Sequence, residues 1–125
     1  MRQPKTYWVY IVANTKRGVM YVGVTSELTR RVSQHRIGTY DGFTKRYGCK
    51  MLVWFEAHDE PHLAISKEKR LKRWRRDWKF GLIEAENPEW RDFWWDLVGP
   101  DQVVLTDETL ASLAIPDEPL RGSPG

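Results

Sequence analysis

The chain is poor in the features that would direct it out of a reducing, aqueous compartment. It has one cysteine, Cys49, so no disulfide can form within it, and a lone thiol suits a reducing cytoplasm. The first residues, MRQPKTYW, contain no apolar stretch typical of a signal peptide. No apolar run approaches the roughly 20 residues that a membrane span needs. We therefore expect a cytoplasmic protein with no membrane partner.

Acidic residues are scarce in the first 80 positions, and basic residues are scarce after them. Residues 1–80 hold 18 Lys/Arg against 7 Asp/Glu, a net +11, whereas residues 81–125 hold 2 against 10, a net −8. A basic body favours a polyanionic partner, and nucleic acid is the first candidate. A chain of 125 residues has room for one core. We predict a single domain over residues 1–98 and an acidic, partly disordered tail over 99–125.

Seven tryptophans and a hydrophobic share of 41% indicate a folded core. Aromatic and β-branched runs predict strands over 6–14, 19–25 and 49–58, of which the first two form a hairpin. A helix is predicted to end near Gly38, and a glycine-bounded loop is predicted over 38–48. One long helix is predicted over 62–84. The fold class is α+β, with a small, mainly antiparallel sheet and helices packed against it.

Several polar side chains are predicted to meet where the second strand joins the first helix. Tyr21 and Gly23 share one face of the strand, and the glycine allows another group to approach the backbone. Arg31 and His35 are four residues apart, so they share one face of the helix. Tyr10 is predicted to lie across the hairpin from Tyr21. Two phenols, a guanidinium and an imidazole would then occupy one corner of the fold.

An acidic residue interrupts the apolar stripe of the predicted long helix. Glu68 precedes Leu71 by three residues, and a buried carboxylate is costly unless a cation or a metal accompanies it. A carboxylate can hold a hard divalent ion, an arginine can neutralise developing charge, and a phenol or imidazole can orient or deprotonate water. Together these groups can support metal-assisted phosphodiester hydrolysis. The ordinary alternative is an ion pair between Glu68 and Lys72 along the helix.

The order of these residues resembles the GIY-YIG nuclease superfamily, and in particular its small stand-alone members. Trp8-Val9-Tyr10 and Tyr21-Val22-Gly23 stand at the two signatures, with tryptophan in place of the first glycine and valines in place of the isoleucines. Arg31 follows Tyr21 by ten residues, as the family's catalytic arginine does. Glu68 resembles the family's metal-binding glutamate and Asn87 its late asparagine, although Asn87 could instead cap the segment that starts at Pro88. The likeness covers about residues 5–95.

The resemblance implies a fold, a cofactor and a reaction. It implies a three-stranded antiparallel sheet flanked by helices, and one Mg²⁺ or Mn²⁺ ion on Glu68. It also implies one-metal cleavage of DNA in which Tyr10 or Tyr21 assists the attacking water and Arg31 stabilises the pentacovalent phosphate. His35 would share the role of the base, and which group takes the proton stays open. Gly23 and Asn87 would support the site.

Basic side chains are expected to grip the DNA backbone around this site. The predicted contacts are Arg30, Lys45, Arg46, Lys69, Lys72 and Arg73. In the segment KEKRLKRWRRDWKF (67–80), basic residues alternate with tryptophans, a pattern that suits phosphate contacts and base stacking. The alternative places Trp74 and Trp78 in the core with Leu71 and Leu82. We predict that both tryptophans are core residues and that the basic face belongs to the DNA footprint.

These observations predict a divalent-metal-dependent DNA endonuclease. No second DNA-reading domain is evident, so a protein partner would have to supply any sequence specificity, and structure-selective action in repair or recombination follows from family analogy alone. The alternative from another class is a non-catalytic nucleic-acid-binding module that retains the nuclease scaffold. Cleavage of RNA is a third hypothesis. The sequence makes no prediction of oligomeric state.

Overall fold

An antiparallel sheet forms the centre of the fold. The computed structural model describes residues 5–38, 42–98 and 123–124. Its elements are β1 (Tyr7–Ala13), β2 (Met20–Thr25), α1 (Leu28–Ile37), α2 (Gly42–Tyr47), β3 (Met51–His58), α3 (Pro61–Arg73), α4 (Arg76–Glu86), α5 (Trp94–Val98) and β4 (Ser123–Pro124). The three long strands confirm the predicted antiparallel sheet flanked by helices. Among the described residues, no helix is both long enough and apolar enough to cross a bilayer.

A fourth, very short strand lies beside β2. The strand order is β3-β1-β2-β4, and β4 pairs antiparallel with Tyr21 and Val22. The sheet therefore has one more strand than predicted, contributed by two residues of the predicted tail. The rest of that tail, 99–122 and 125, lies outside the described residues, so the proposed division into a domain and a tail stays a prediction.

The alternation of side chains along the strands creates two cores, one on each face of the sheet. The aliphatic core lies on the face covered by α3 and α4, and its members are Val9, Ile11, Ala13, Met20, Val22, Val24, Val53, Trp54, Ala64, Leu71, Ile83 and Trp90. The tyrosine core lies on the face covered by α1 and α5, and its members are Tyr10, Val12, Tyr21, Leu28, Val32, Cys49, Leu52 and Trp94. Neighbouring residues of β1 thus serve opposite layers.

A bulge in β3 adjusts this alternation. Ile11 pairs with Trp54, whereas the next residue, Val12, pairs with Leu52, so Val53 is an extra residue in β3. Val53 and Trp54 consequently both enter the aliphatic core, while Leu52 enters the tyrosine core. The bulge lets one strand supply bulky residues to both faces.

The predicted single helix over 62–84 is wrong, because the chain breaks into α3 and α4. Trp74 and Arg75 separate the two helices in extended conformation, with ψ of 146° and 155°. A continuous helix would carry Trp78 inward with Leu71. Because of the break, α4 turns a different side toward the core from the one that a continuous helix would present. Ile83 is therefore buried, and the Trp78 side chain is 51% exposed. The prediction that Trp78 belongs to the core is therefore wrong, whereas Trp74 packs against the aliphatic core.

Tertiary contacts at the start of α4 explain the break. The Arg76 guanidinium donates hydrogen bonds of 2.8 Å to the carbonyl oxygens of Arg17 and Gly18, in the turn between β1 and β2. Its guanidinium also lies 5.1 Å from the centre of the Phe80 ring. No proline or glycine marks this junction in the sequence, and the new direction of the helix is set by contacts with a distant turn.

The predicted loop over 38–48 contains a helix, α2, over Gly42–Tyr47. α1 ends at Gly38 as predicted, with φ of 76° in the left-handed region that glycine tolerates. α2 is anchored from outside, because the Thr44 side chain is buried and the Phe43 ring lies 6.3 Å from that of Tyr21. Local sequence favours a loop here, and these tertiary contacts favour the helix.

α1 is fastened to the segment that precedes α5. Arg36 pairs with Asp92 at 2.6 Å, and its guanidinium lies 5.2 Å from the Trp94 ring and 5.3 Å from the Trp95 ring. Asp92 Oδ1 also accepts hydrogen bonds from the backbone amides of Leu52 and Trp94, each at 3.0 Å. One arginine thereby connects α1, β3 and α5.

Candidate active site

Tyr10 lies directly over Gly23. In the hairpin register Tyr10 pairs with Gly23 and Val12 pairs with Tyr21, so the prediction that the two tyrosines face each other across the strands is wrong. They are diagonal neighbours, with ring centres 6.5 Å apart. A Cβ at position 23 would come within 2.8 Å of Tyr10 Cε1 and closer still to the hydroxyl end of the ring. Glycine is therefore required at position 23, because the Tyr10 ring occupies the space that any side chain would fill.

Replacement of Gly23 by alanine is expected to destabilise the fold by about 1–3 kcal/mol, since the new methyl group displaces the Tyr10 ring in a filled core. Gly81→Ala is the matched control, because a Cβ there meets no other described atom within 4 Å and the position is helical. That control should be neutral or more stable by up to about 1 kcal/mol. Urea unfolding of both variants measures the difference, and equal changes in stability would contradict the packing argument.

His35 connects Tyr10 to α2. Its Nε2 lies 2.8 Å from the Tyr10 hydroxyl and its Nδ1 lies 3.1 Å from Thr44 Oγ1. The imidazole also lies against the Tyr21 ring, with 5.2 Å between ring centres. When the ring proton is on Nδ1, the Nδ1–H group donates a hydrogen bond to Thr44 Oγ1, and Nε2 accepts a hydrogen bond from the Tyr10 phenol. Tyr10, Tyr21 and His35 thus form one contiguous cluster.

Burial keeps the imidazole neutral. The removal of His35 from water lowers its pKa to about 3, and the positive charge of Arg31 contributes to the same shift. His35 is therefore uncharged throughout the physiological pH range. A neutral imidazole can accept a hydrogen bond from the Tyr10 phenol, and its low basicity makes it a poor store for a proton during a reaction.

Arg31 joins this cluster from α1. Its side chain is buried, its Nε donates a 3.0 Å hydrogen bond to Gln34 Oε1, and its charge acts on His35 one helical turn away. The structure therefore brings Tyr10, Tyr21, Arg31 and His35 close together, and their catalytic roles stay predictions. A buried guanidinium close enough to act on the charge of this imidazole is a strong ligand for a phosphate group.

The structure joins Glu68 to a lysine. Glu68 is buried at 4% exposure and its carboxylate pairs with Lys72, the alternative that the helical spacing allows. The stripe that carries it, with Ala64 and Leu71, packs in the aliphatic core on the opposite face from Tyr10. The convergence of Glu68 and the tyrosine cluster around one phosphate stays a prediction.

The donor set for a metal is small. Within residues 5–38 and 42–98, no three His, Cys, Asp or Glu side chains are grouped so that they could hold an ion together. Glu68 alone supplies one carboxylate. This fits Mg²⁺, which commonly keeps several water ligands and binds through one or two carboxylates and the substrate's phosphate oxygens. Binding of the ion by Glu68 requires that the Lys72 ammonium group move away from the carboxylate.

Asn87 serves the scaffold. Its Nδ2 donates to the carbonyl oxygens of Val53 at 3.1 Å and Arg91 at 2.9 Å, and its Oδ1 accepts from the Arg91 amide at 2.9 Å. These bonds attach the chain after α4 to β3. The residue ends α4, and its side chain bonds the segment that follows Pro88, whereas its role in supporting the site stays a prediction.

The predicted DNA-contacting residues lie on both layers of the protein. Arg30 pairs with Glu27 at 2.8 Å on α1, and Lys72 is engaged by Glu68 on α3. The others are exposed, on α2 and α3, and they are Lys45, Arg46, Lys69 and Arg73. Their positions are compatible with a polyanion that touches more than one helix, and their contact with DNA stays a prediction.

Sequence reasoning missed two side chains that position the cluster. Gln34 holds the Arg31 guanidinium and Thr44 holds the His35 imidazole. Gln34 could have been found, since it follows Arg31 by three residues on a helix. Thr44 gave no signal, because its segment was predicted to be a loop.

Comparisons with known proteins identify the family of the chain. The family model described as the GIY-YIG catalytic domain matches residues 6–81. A UPF0213 protein of Aeromonas salmonicida is 28% identical over 99 residues, covering 78% of this chain and 73% of its own. UPF0213 proteins of Haloquadratum walsbyi and Lacticaseibacillus paracasei are 33% and 30% identical over 78 and 87 residues, covering 62% and 70% of this chain and 86% and 97% of theirs. No solved structure matches the chain significantly.

Proposed function

Because the chain belongs to the GIY-YIG superfamily of nucleases, we propose that it is a divalent-metal-dependent endonuclease that hydrolyses DNA phosphodiester bonds. The supporting observation is the buried cluster in which the Tyr10 hydroxyl lies 2.8 Å from His35 Nε2 and Arg31 lies beside the imidazole. Phenol, neutral imidazole and guanidinium are the groups that orient water and stabilise a charged phosphate.

In the proposed reaction Tyr10 orients the attacking water. The hydrogen bond to Nε2 fixes the direction of the phenol O–H, so that lone pairs on the phenol oxygen are available to the hydrogen atom of a water molecule. His35 acts as a positioning residue, because a pKa of about 3 makes it unsuited to hold the proton. Tyr21 packs against the same imidazole, and it is a second phenol that could accept a hydrogen bond from that water.

Arg31 stabilises the pentacovalent phosphate. Its guanidinium is held by Gln34 before substrate arrives, so little reorganisation is needed when negative charge develops. Glu68 would hold the one Mg²⁺ or Mn²⁺ ion, which supplies Lewis-acid activation of the phosphate when it is bound. Lys72, displaced from Glu68, would then be available to a phosphate oxygen of the substrate.

The decisive experiment is a substrate panel. Single-stranded, duplex, flapped and four-way DNAs are incubated with Mg²⁺ or Mn²⁺, alongside the variant Glu68→Gln. Cleavage of at least one DNA that requires the ion supports the proposal, and a preference for flapped or four-way DNA supports a role in repair or recombination. A parallel RNA panel tests the third hypothesis. Absence of metal-dependent cleavage of every DNA would overturn the proposal.

Glu68→Gln is expected to abolish metal-dependent nicking while the protein stays folded, since glutamine keeps the shape of the side chain and loses its charge. Plasmid nicking as a function of Mg²⁺ concentration measures the effect. Glu60→Gln is the matched control, because Glu60 is exposed at the start of the same helix and should leave nicking unchanged. Undiminished nicking by the Glu68 variant would exclude this carboxylate as the metal ligand.

A second candidate function is favoured by the Glu68–Lys72 ion pair. If the carboxylate stays with Lys72, the protein is a nucleic-acid-binding module that has kept the nuclease scaffold. Such a module binds DNA with an affinity that falls steeply with salt, and it shows no metal-dependent cleavage. The substrate panel and a salt titration of binding distinguish the two functions.

A further inference from the structure

The corner between α3 and α4 exposes an aromatic ring on a basic surface. We call residues 72–79 the elbow. Half of the Trp78 side chain is exposed, an unusual position for so large an apolar group. The ring is nevertheless held, because Trp74 contacts it edge-on at 6.0 Å and the Arg75 guanidinium lies 5.0 Å from its centre. A ring that is both exposed and oriented is suited to stacking.

The charge around this ring is strongly positive. Residues 67–80 contain eight Lys/Arg and two Asp/Glu. Both acids already have basic partners nearby, since Glu68 pairs with Lys72 and Asp77 pairs with Arg75 at 3.1 Å. Among the other cations, Lys69, Arg70, Arg73 and Arg76 are exposed and can face solvent or a polyanion.

Lys79 adds a buried cation to the elbow. It is only 4% exposed, and no acidic side chain among the described residues pairs with it. Burial lowers its pKa, and the nearby charges of Arg76 and Lys72 lower it further. A buried lysine surrounded by other cations is costly on its own, and an anion placed among them would relieve that cost.

We propose that the elbow binds an unpaired nucleotide, with the base stacked on Trp78 and the adjoining phosphate neutralised by Lys79. The base must be unstacked, as bases in a single-stranded segment can be, because a tryptophan ring can stack on a base face only when that face is not covered by its neighbours. The inference rests on the proposed function in taking DNA as the polyanion, and it adds a substrate class: DNA with a single-stranded segment.

Binding without cleavage tests this proposal separately from the nuclease activity. Affinity for a fluorescently labelled oligothymidine and for a blunt duplex of equal charge is measured in EDTA with the full chain. Trp78→Ala should weaken binding of the single strand about tenfold and leave duplex binding within about twofold. Trp78→Phe should restore most of the lost affinity. Equal losses for both DNAs, or no loss for either, would overturn the stacking role.

Two further variants sharpen the test. Trp95 is more exposed than Trp78, but the cation over its ring is Arg36 of α1 and not a residue of the elbow, so Trp95→Ala should leave both affinities unchanged. Lys79→Met should reduce the salt dependence of binding by about one phosphate contact. A loss of affinity in Trp95→Ala equal to that in Trp78→Ala, or an unchanged salt slope in Lys79→Met, contradicts the proposal. Failure of cleavage in the substrate panel bears only on the nuclease activity.

Discussion

Arg31→Ala is expected to lower DNA cleavage by about 100-fold or more while binding of DNA falls much less. The guanidinium is buried, held by Gln34 and close enough to His35 to lower its pKa, so in the proposed reaction its charge acts where the phosphate becomes most negative. Removal of a single preorganised donor of this kind typically costs about 10²–10³ in rate. Single-turnover cleavage at saturating protein separates this loss from any change in affinity.

The neighbouring arginine provides the control. Arg30 lies on the same helix, partly exposed and paired with Glu27, so Arg30→Ala should change affinity slightly and leave the cleavage rate of bound DNA intact. Arg31→Lys keeps the charge and loses the planar fork, and it should recover only part of the rate. Comparable rates for the two alanine variants would refute the catalytic assignment of Arg31. Circular dichroism of each variant shows whether the fold is kept.

Acidification is expected to destabilise the protein through His35. The pKa of this histidine is about 3 in the folded protein, against 6.5 when it is exposed to water. Between these values the unfolded chain binds a proton that the folded protein does not bind, so the free energy of unfolding falls as the pH falls. The full effect below pH 3 is about 5 kcal/mol, since each pKa unit corresponds to about 1.4 kcal/mol. Near pH 4.5 the loss is about half of this.

His35→Gln removes that titration. The variant is expected to be less stable at pH 7, because a buried ring contact is lost, and its stability should depend less on pH between 6.5 and 4.5 than that of the wild type. Urea unfolding at several pH values measures both curves. His62→Gln is the comparison, since His62 is exposed and should leave the curve unchanged. Parallel curves for wild type and His35→Gln would contradict a neutral buried imidazole.

Local patterns predict the sheet well because they act at short range. Alternation of β-branched and aromatic residues identifies β1, β2 and β3, and the glycine at position 38 marks the end of α1. The spacing of Tyr21, Arg31 and His35 identifies the cluster, because a strand followed directly by a helix leaves little freedom in where their side chains lie. Contacts between residues close in the sequence are therefore sufficient to predict both the elements of the fold and the residues of the cluster.

The errors share one physical cause, which is contact with distant parts of the chain. Arg76 turns α4 by bonding to Arg17 and Gly18, and Thr44 and Phe43 hold α2 against the tyrosine core. The hairpin register follows from how the turn closes, and a shift of two residues decides whether Tyr10 meets Gly23 or Tyr21. The position of Glu68 depends on which face of the sheet receives α3, and strand patterns do not determine it.

The attachment of α1 through Arg36 determines how the chain can be shortened. The family match stops at residue 81, whereas Asp92 and the two tryptophans that hold this arginine come later. A fragment cut at the family boundary would therefore release the helix that carries Arg31 and His35, and it would strip Leu52 of its carboxylate acceptor. We therefore expect the smallest autonomous folding unit to extend at least through Trp95, beyond the limits that sequence similarity alone would set.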